Sequence, residues 1–126
     1  MVSFDNGMRR LGGSALATRE EVHGFLLGMR AALEKRLVLH PRSKNRDALA
    51  GLGWKPSDLK LLLRNLEVED YADGPLPDSR GLDEEHWVFG PEFEERQLYV
   101  KLTVFDWGLL VLSFHVAEHP LKLPLK

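Results

Sequence analysis

Apolar residues recur at helical spacing in the first half of the chain and at alternate positions in the second. Val22, Phe25, Leu26, Met29 and Leu33 share one face of a helix predicted over Arg19–Arg36. Thr18 is a suitable N-cap, and Glu20 and Glu21 sit in the first turn, where the helix dipole favours anions. Leu37–His40 alternates too briefly to separate a short strand from an extended connector, and Pro41 ends it. Ser43 is placed to cap a short helix to about Leu52, with Ala48, Leu49 and Leu52 inward and Gly53 as its stop. Pro56 suits the first turn of a third helix, whose apolar stripe is Leu59, Leu62, Leu63 and Leu66.

Turn chemistry then dominates. Asp73-Gly74-Pro75, Pro77-Asp78 and Arg80-Gly81 predict a loop over Asp70–Glu85. Beyond it lie a short strand at His86–Phe89, closed by Gly90-Pro91, a long one at Arg96–Phe105, and another at Leu109–Val116. Pro120 and Pro124 keep the tail, His119–Lys126, out of any central strand. Met1–Ala17 carries Gly7, Gly12 and Gly13 with little periodicity and reads as a poorly ordered lead. A single domain is therefore expected over residues 18–126. Helices first and strands last predict an α+β fold with an antiparallel sheet.

The two long strands predict their own register. Asp106-Trp107-Gly108 reads as a three-residue hairpin loop with positive φ at Gly108. Val104 then faces Leu110, Leu102 faces Leu112, and Val100 faces Phe114, all apolar and all toward the core. The other face pairs Thr103 with Val111, Lys101 with Ser113, and Tyr99 with His115. Tyr99, Lys101, Ser113 and His115 thus form one polar cluster on an open face. A phenol, an ammonium and an imidazole without a carboxylate suit phosphate binding and proton transfer. His115 carries the cluster's side chain with an ordinary pKa near neutrality.

Composition narrows the chemistry further. The 126 residues are 44% hydrophobic and 29% charged, as expected of one globular domain. The absence of cysteine excludes disulfides, thiolate zinc sites and thiol catalysis, and fits a cytoplasmic protein. No apolar run is long enough for a membrane span and no secretory signal is visible, so no membrane partner is expected. The net charge of −2 hides an asymmetry. Residues 1–66 hold 12 Lys+Arg and 6 Asp+Glu; residues 67–126 hold 5 and 13. A basic half suits a polyanion. Its densest cluster is Arg42, Lys44 and Arg46 at a helix start, where backbone donors also favour phosphate. His86 beside Trp87 is a possible base-stacking pair, and Trp87 also reads as core. The spacing of His115 and His119 in an extended segment is not a metal-ligand spacing, so no metal or cofactor is assigned.

The C-terminal half resembles the MqsR branch of the RelE-like toxins, small ribonucleases of type II toxin–antitoxin modules. The resemblance rests on Leu66-Glu67-Val68-Glu69-Asp70-Tyr71, His86-Trp87-Val88-Phe89, Gln97-Leu98-Tyr99-Val100-Lys101-Leu102-Thr103-Val104 and Val111-Leu112-Ser113-Phe114-His115. The ending from Ser113 to Lys122 is also similar to small bacterial proteins grouped with these toxins. The resemblance implies N-terminal helices on a small curved antiparallel sheet of the RelE-like microbial ribonuclease type. It also implies metal-independent mRNA cleavage on the sheet and a cognate antitoxin partner. Tyr99 falls where the family has an active-site Tyr, and His115 where it has a Lys. Where the family has a Lys after the Asp-aromatic pair and a Gln after the Trp, this chain has Ala72-Asp73 and Val88.

The expected function is accordingly a metal-independent endoribonuclease toxin acting on RNA, free or on the ribosome. His115 would be the acid or base and Lys101 the charge stabiliser, with Tyr99 orienting His115 or binding phosphate. Arg42, Lys44, Arg46 and Arg96 would hold RNA, with Arg96 also available for charge stabilisation. The alternative is a non-catalytic interaction module with the same fold. A third idea is a small-ligand or metal protein built on His86, His115 and His119.

Overall fold

The computed structural model of the chain describes residues 16–81 and 83–126. Three helices come first: α1 (Arg19–Lys35), α2 (Ser43–Leu52) and α3 (Pro56–Arg64). The strands are β1 (Leu37–Leu39), β2 (Tyr71–Pro77), β3 (Glu85–Phe89), β4 (Glu92–Phe93), β5 (Arg96–Phe105) and β6 (Gly108–Val116). The fold is α+β, as the order of periods predicts. Residues 1–15 of the predicted lead lie outside the described residues. Ala17 is buried, and its amide donates to Tyr71 Oη at 2.9 Å.

Thr18 caps α1 through a capping box with Glu21, so both ends of that reciprocal pair are satisfied. Val22, Leu26, Met29 and Leu33 are buried by α1, and Leu59 and Leu63 by α3. They meet Trp87, Phe89, Leu98, Val100, Leu102 and Phe114 from one face of the sheet in a single core. Trp87 is committed to it, stacked on Phe25 with centroids 4.4 Å apart. Burying each such side chain stabilises the fold by roughly 1.5–3 kcal/mol.

The sheet corrects two expectations and settles a third segment left open. Its order is β1-β6-β5-β3-β2, with β4 paired to the start of β5, and it is mixed, not antiparallel throughout. Leu37–Leu39 pairs in parallel with Leu109–Val111, a partner too distant in sequence for local pattern to reveal. The predicted 70–85 loop holds an edge strand, β2, pairing with β3 through two register shifts. Gly74 and Pro75 are tolerated there because β2 has a free edge. Gly74 is required: at φ +113, an added Cβ would stand 2.7 Å from the His86 carbonyl oxygen.

The hairpin loop is two residues, not three. Phe105 pairs with Gly108 and Leu102 with Val111; a bulge then restores the predicted Lys101–Ser113, Val100–Phe114 and Tyr99–His115 pairs. The extra residue of the bulge is Leu112. Leu109 and Val111 therefore enter the core, whereas Leu110 and Leu112 line a cavity on the opposite face. Gly108, at φ +153, lets the chain before β1 approach β6: an added Cβ would stand 2.4 Å from the Arg36 carbonyl oxygen.

Candidate active site on the open sheet face

The face away from the core presents Tyr99 and Lys101 from β5 and Ser113 and His115 from β6. Tyr99 and His115 stack in near-parallel planes, 9° apart, with centroids separated by 5.0 Å. His115 Nδ1 lies 2.8 Å from the Val116 carbonyl oxygen. A carbonyl only accepts, so in the neutral ring Nδ1 carries the hydrogen and Nε2 is the basic nitrogen. Burial, and secondarily the Asp73 carboxylate, raise the Tyr99 phenol above its ordinary value near 10. Tyr99 is thus a hydrogen-bond donor throughout the neutral range.

Asn45 brings the basic cluster to this stack. Strand β1 ends at Leu39, and His40 N still donates to Val111 O at 2.9 Å. Beyond that point β6 has no strand on this edge, and the Asn45 amide takes its place. Its Nδ2 donates to the His40 and Leu112 carbonyls, both at 3.0 Å, and its Oδ1 accepts from Phe114 N at 3.0 Å. Asn45 is 1% exposed, so these bonds satisfy groups that water does not reach. Helix α2 is thereby fixed at its first turn against β6. Ser43 is its first helical residue; the N-cap is Arg42, which makes no side-chain cap bond.

The result is a cavity of about 410 Å³ lined by Tyr99, His115, Ser113 and Asn45 together with Arg42 and Lys44. The tail contributes Glu118, His119 and Leu121 to the rim and leaves His115 partly exposed. Gln97 holds the tail there, its Oε1 accepting from Leu121 N at 2.7 Å. Lys44 Nζ lies 2.5 Å from Glu118 Oε2, with both side chains more than half exposed. Such a pair is weak and open to exchange for another anion. Lys44 nonetheless holds the Glu118 carboxyl below its usual range.

Lys101 opens into a second cavity, of about 330 Å³, which shares Arg42 with the first. Two predicted RNA-binding residues stand apart. Arg46 turns back to donate to the Pro41 carbonyl oxygen at 3.2 Å. Arg96 begins β5 and lines a neighbouring cavity with Glu92 and Glu95, not the one that holds the Tyr99–His115 stack. The proposed His86, His115 and His119 trio is split, with His115 and His119 on the first cavity and His86 on the second. Burial, then the Lys101 charge, push the His86 imidazole down, against the opposing pull of Asp78 and Glu84. Sequence reasoning missed Asn45 and Glu118 as parts of the site. Asn45 stood inside a basic run, and nothing local marked it for burial.

No family model, curated protein or solved structure matches the chain. Among the described residues, no helix is long and apolar enough to cross a membrane.

Proposed function

We propose that the protein is a metal-independent endoribonuclease toxin of the RelE-like, MqsR-related kind. The observation that carries this is the Tyr99–His115 stack in a partly exposed cavity walled by Arg42 and Lys44, with Lys101 on the same face. Cleavage by the neighbouring 2′-hydroxyl needs a base, a cation at phosphorus and room for the chain on both sides. His115 Nε2 takes the 2′ proton as the 2′ oxygen bonds to phosphorus. Lys101, two residues along β5 and so about 6.6–7 Å from Tyr99, offsets the charge gathered on the phosphorane. The bond from phosphorus to the 5′ oxygen breaks, leaving a 2′,3′-cyclic phosphate. The leaving oxygen takes a proton from water, and the imidazolium neutralises the hydroxide. Tyr99 donates to a phosphate oxygen and holds the ring of His115 by stacking. Arg42 and Lys44 grip flanking phosphates, with Lys44 exchanging Glu118 for RNA.

An antitoxin partner and a cytoplasmic site of action follow from the same resemblance. The test is growth on induced expression, together with cleavage of a labelled transcript with and without ribosomes. Growth arrest and a cyclic-phosphate end are expected; no arrest and no cleavage in either format overturn the proposal. A second reading, a non-catalytic interaction module, draws support from Glu118, a carboxylate on the cavity and paired with Lys44 that opposes a phosphate. That same negative outcome favours it.

A further inference from the structure

The second cavity holds a constellation that RNA cleavage does not use. Asp78 follows the end of β2, Glu84 precedes β3 and His86 is the second residue of β3. One ligand atom from each lies within 4.8 Å of the other two. Asp78 and His86 are more than nine-tenths buried. His86 Nε2 is buried without a hydrogen-bond partner and points at the trio, 3.5 Å from Asp78 Oδ1. Such a nitrogen costs free energy unless something else fills its lone pair.

We propose that Asp78, Glu84 and His86 form a binding site for a divalent transition-metal ion of the zinc type. Imidazole nitrogen with two carboxylates is a donor set for zinc and not for magnesium or calcium, which take oxygen. Ligand atoms about 2.0–2.2 Å from zinc stand roughly 3.3–3.6 Å from one another in a tetrahedron. Asp78 and His86 already meet that spacing. Glu84, the most exposed of the three, has the freedom to close the rest by a rotamer change.

Arg80 is the group the ion displaces. Its guanidinium donates to Asp78 from Nε and Nη2, both at 3.1 Å, and lies 3.6 Å from Glu84 Oε1. Its side chain is 66% exposed and has room to swing into water, while the ion takes over its role as counter-charge to the buried Asp78 carboxylate. Lys101, on the same cavity, opposes the ion and limits its affinity. The ion would tie Asp78 and Glu84 to β3 next to Lys101. It takes no part in the chemistry proposed above.

The test is zinc chloride titrated calorimetrically into the metal-free protein in the absence of RNA. We expect one ion per chain, not displaced by millimolar magnesium, and a raised melting temperature. His86→Gln and, separately, Glu84→Gln should each weaken binding at least tenfold. Arg80→Ala should tighten it severalfold, and His23→Gln, an exposed histidine on α1, should leave it unchanged. Glu84→Gln keeps the test decisive should His86→Gln fail to fold. Absence of binding, binding unaffected in Glu84→Gln, or loss of binding in His23→Gln overturns the site. None of these outcomes depends on whether the protein cuts RNA.

Discussion

At the scale of single residues, Tyr99 has the clearest pH signature. Burial and Asp73 raise its folded pKa above the unfolded value near 10, so the fold holds the phenolic proton more tightly than the unfolded chain does. That contribution to stability is fully present below the unfolded value and is lost as pH rises through the folded one. Tyr99→Phe should therefore flatten the alkaline loss of stability, measured by denaturant unfolding at about pH 9 and pH 11. An unchanged alkaline slope would show that the phenol is not desolvated as described. The pairing of Tyr99 with His115 was legible in the sequence because both strands alternate cleanly at that end. The faces of Leu110 and Leu112 were not. A bulge adds one residue to β6 without leaving a polar or glycine marker, and it reverses the side-chain direction toward the turn.

Among the elements, α2 matters most, because its N-cap Arg42 and its residue Lys44 reach the cavity and the Asn45 amide pins its first turn to β6. Asn45→Ala would strand the buried Phe114 N–H and Leu112 C=O, which should cost about 2–4 kcal/mol from the loss of bonds to groups that cannot reach water. Binding of single-stranded RNA should weaken as well, since the α2 start would no longer be fixed to β6. Chemical unfolding and a binding titration on the same variant check both; a change below about 0.5 kcal/mol would contradict the bridge. Sequence reading found all three helices, since each has an apolar stripe and at least one boundary residue. It missed β2 because Gly74, Pro75 and Pro77 carry turn chemistry even where they sit in an edge strand. It left β1 undecided because three residues have no period of their own and their partner comes at the other end of the chain.

Across the described residues, the basic first half and the acidic second half meet in two ion pairs. Arg19 pairs with Glu69, and Lys44 with Glu118, so acids of the second half neutralise bases of the first. Affinity for RNA should then rest on a few cations at the cavities. Replacing Arg42 and Lys44 by Gln should weaken binding to all sequences. It should also flatten the dependence of log K on log salt by about 1.4, the release of counterions from two phosphates of a single strand. Arg46→Gln and Arg96→Gln should change it little, because neither side chain lines the cavity that holds the stack. Equal effects from all four would mean a diffuse field and not a site.

Cleavage of an end-labelled transcript by wild-type protein and by His115→Ala, both with chelator present, bears most directly on the proposed chemistry. Removal of a general base typically slows a reaction by about 10²–10⁴-fold. We expect His115→Ala to lose activity on that scale with its unfolding curve unchanged, Tyr99→Phe to lose less, and Lys101→Ala to lose more. Full activity in His115→Ala, or wild-type cleavage abolished by the chelator, would contradict the mechanism.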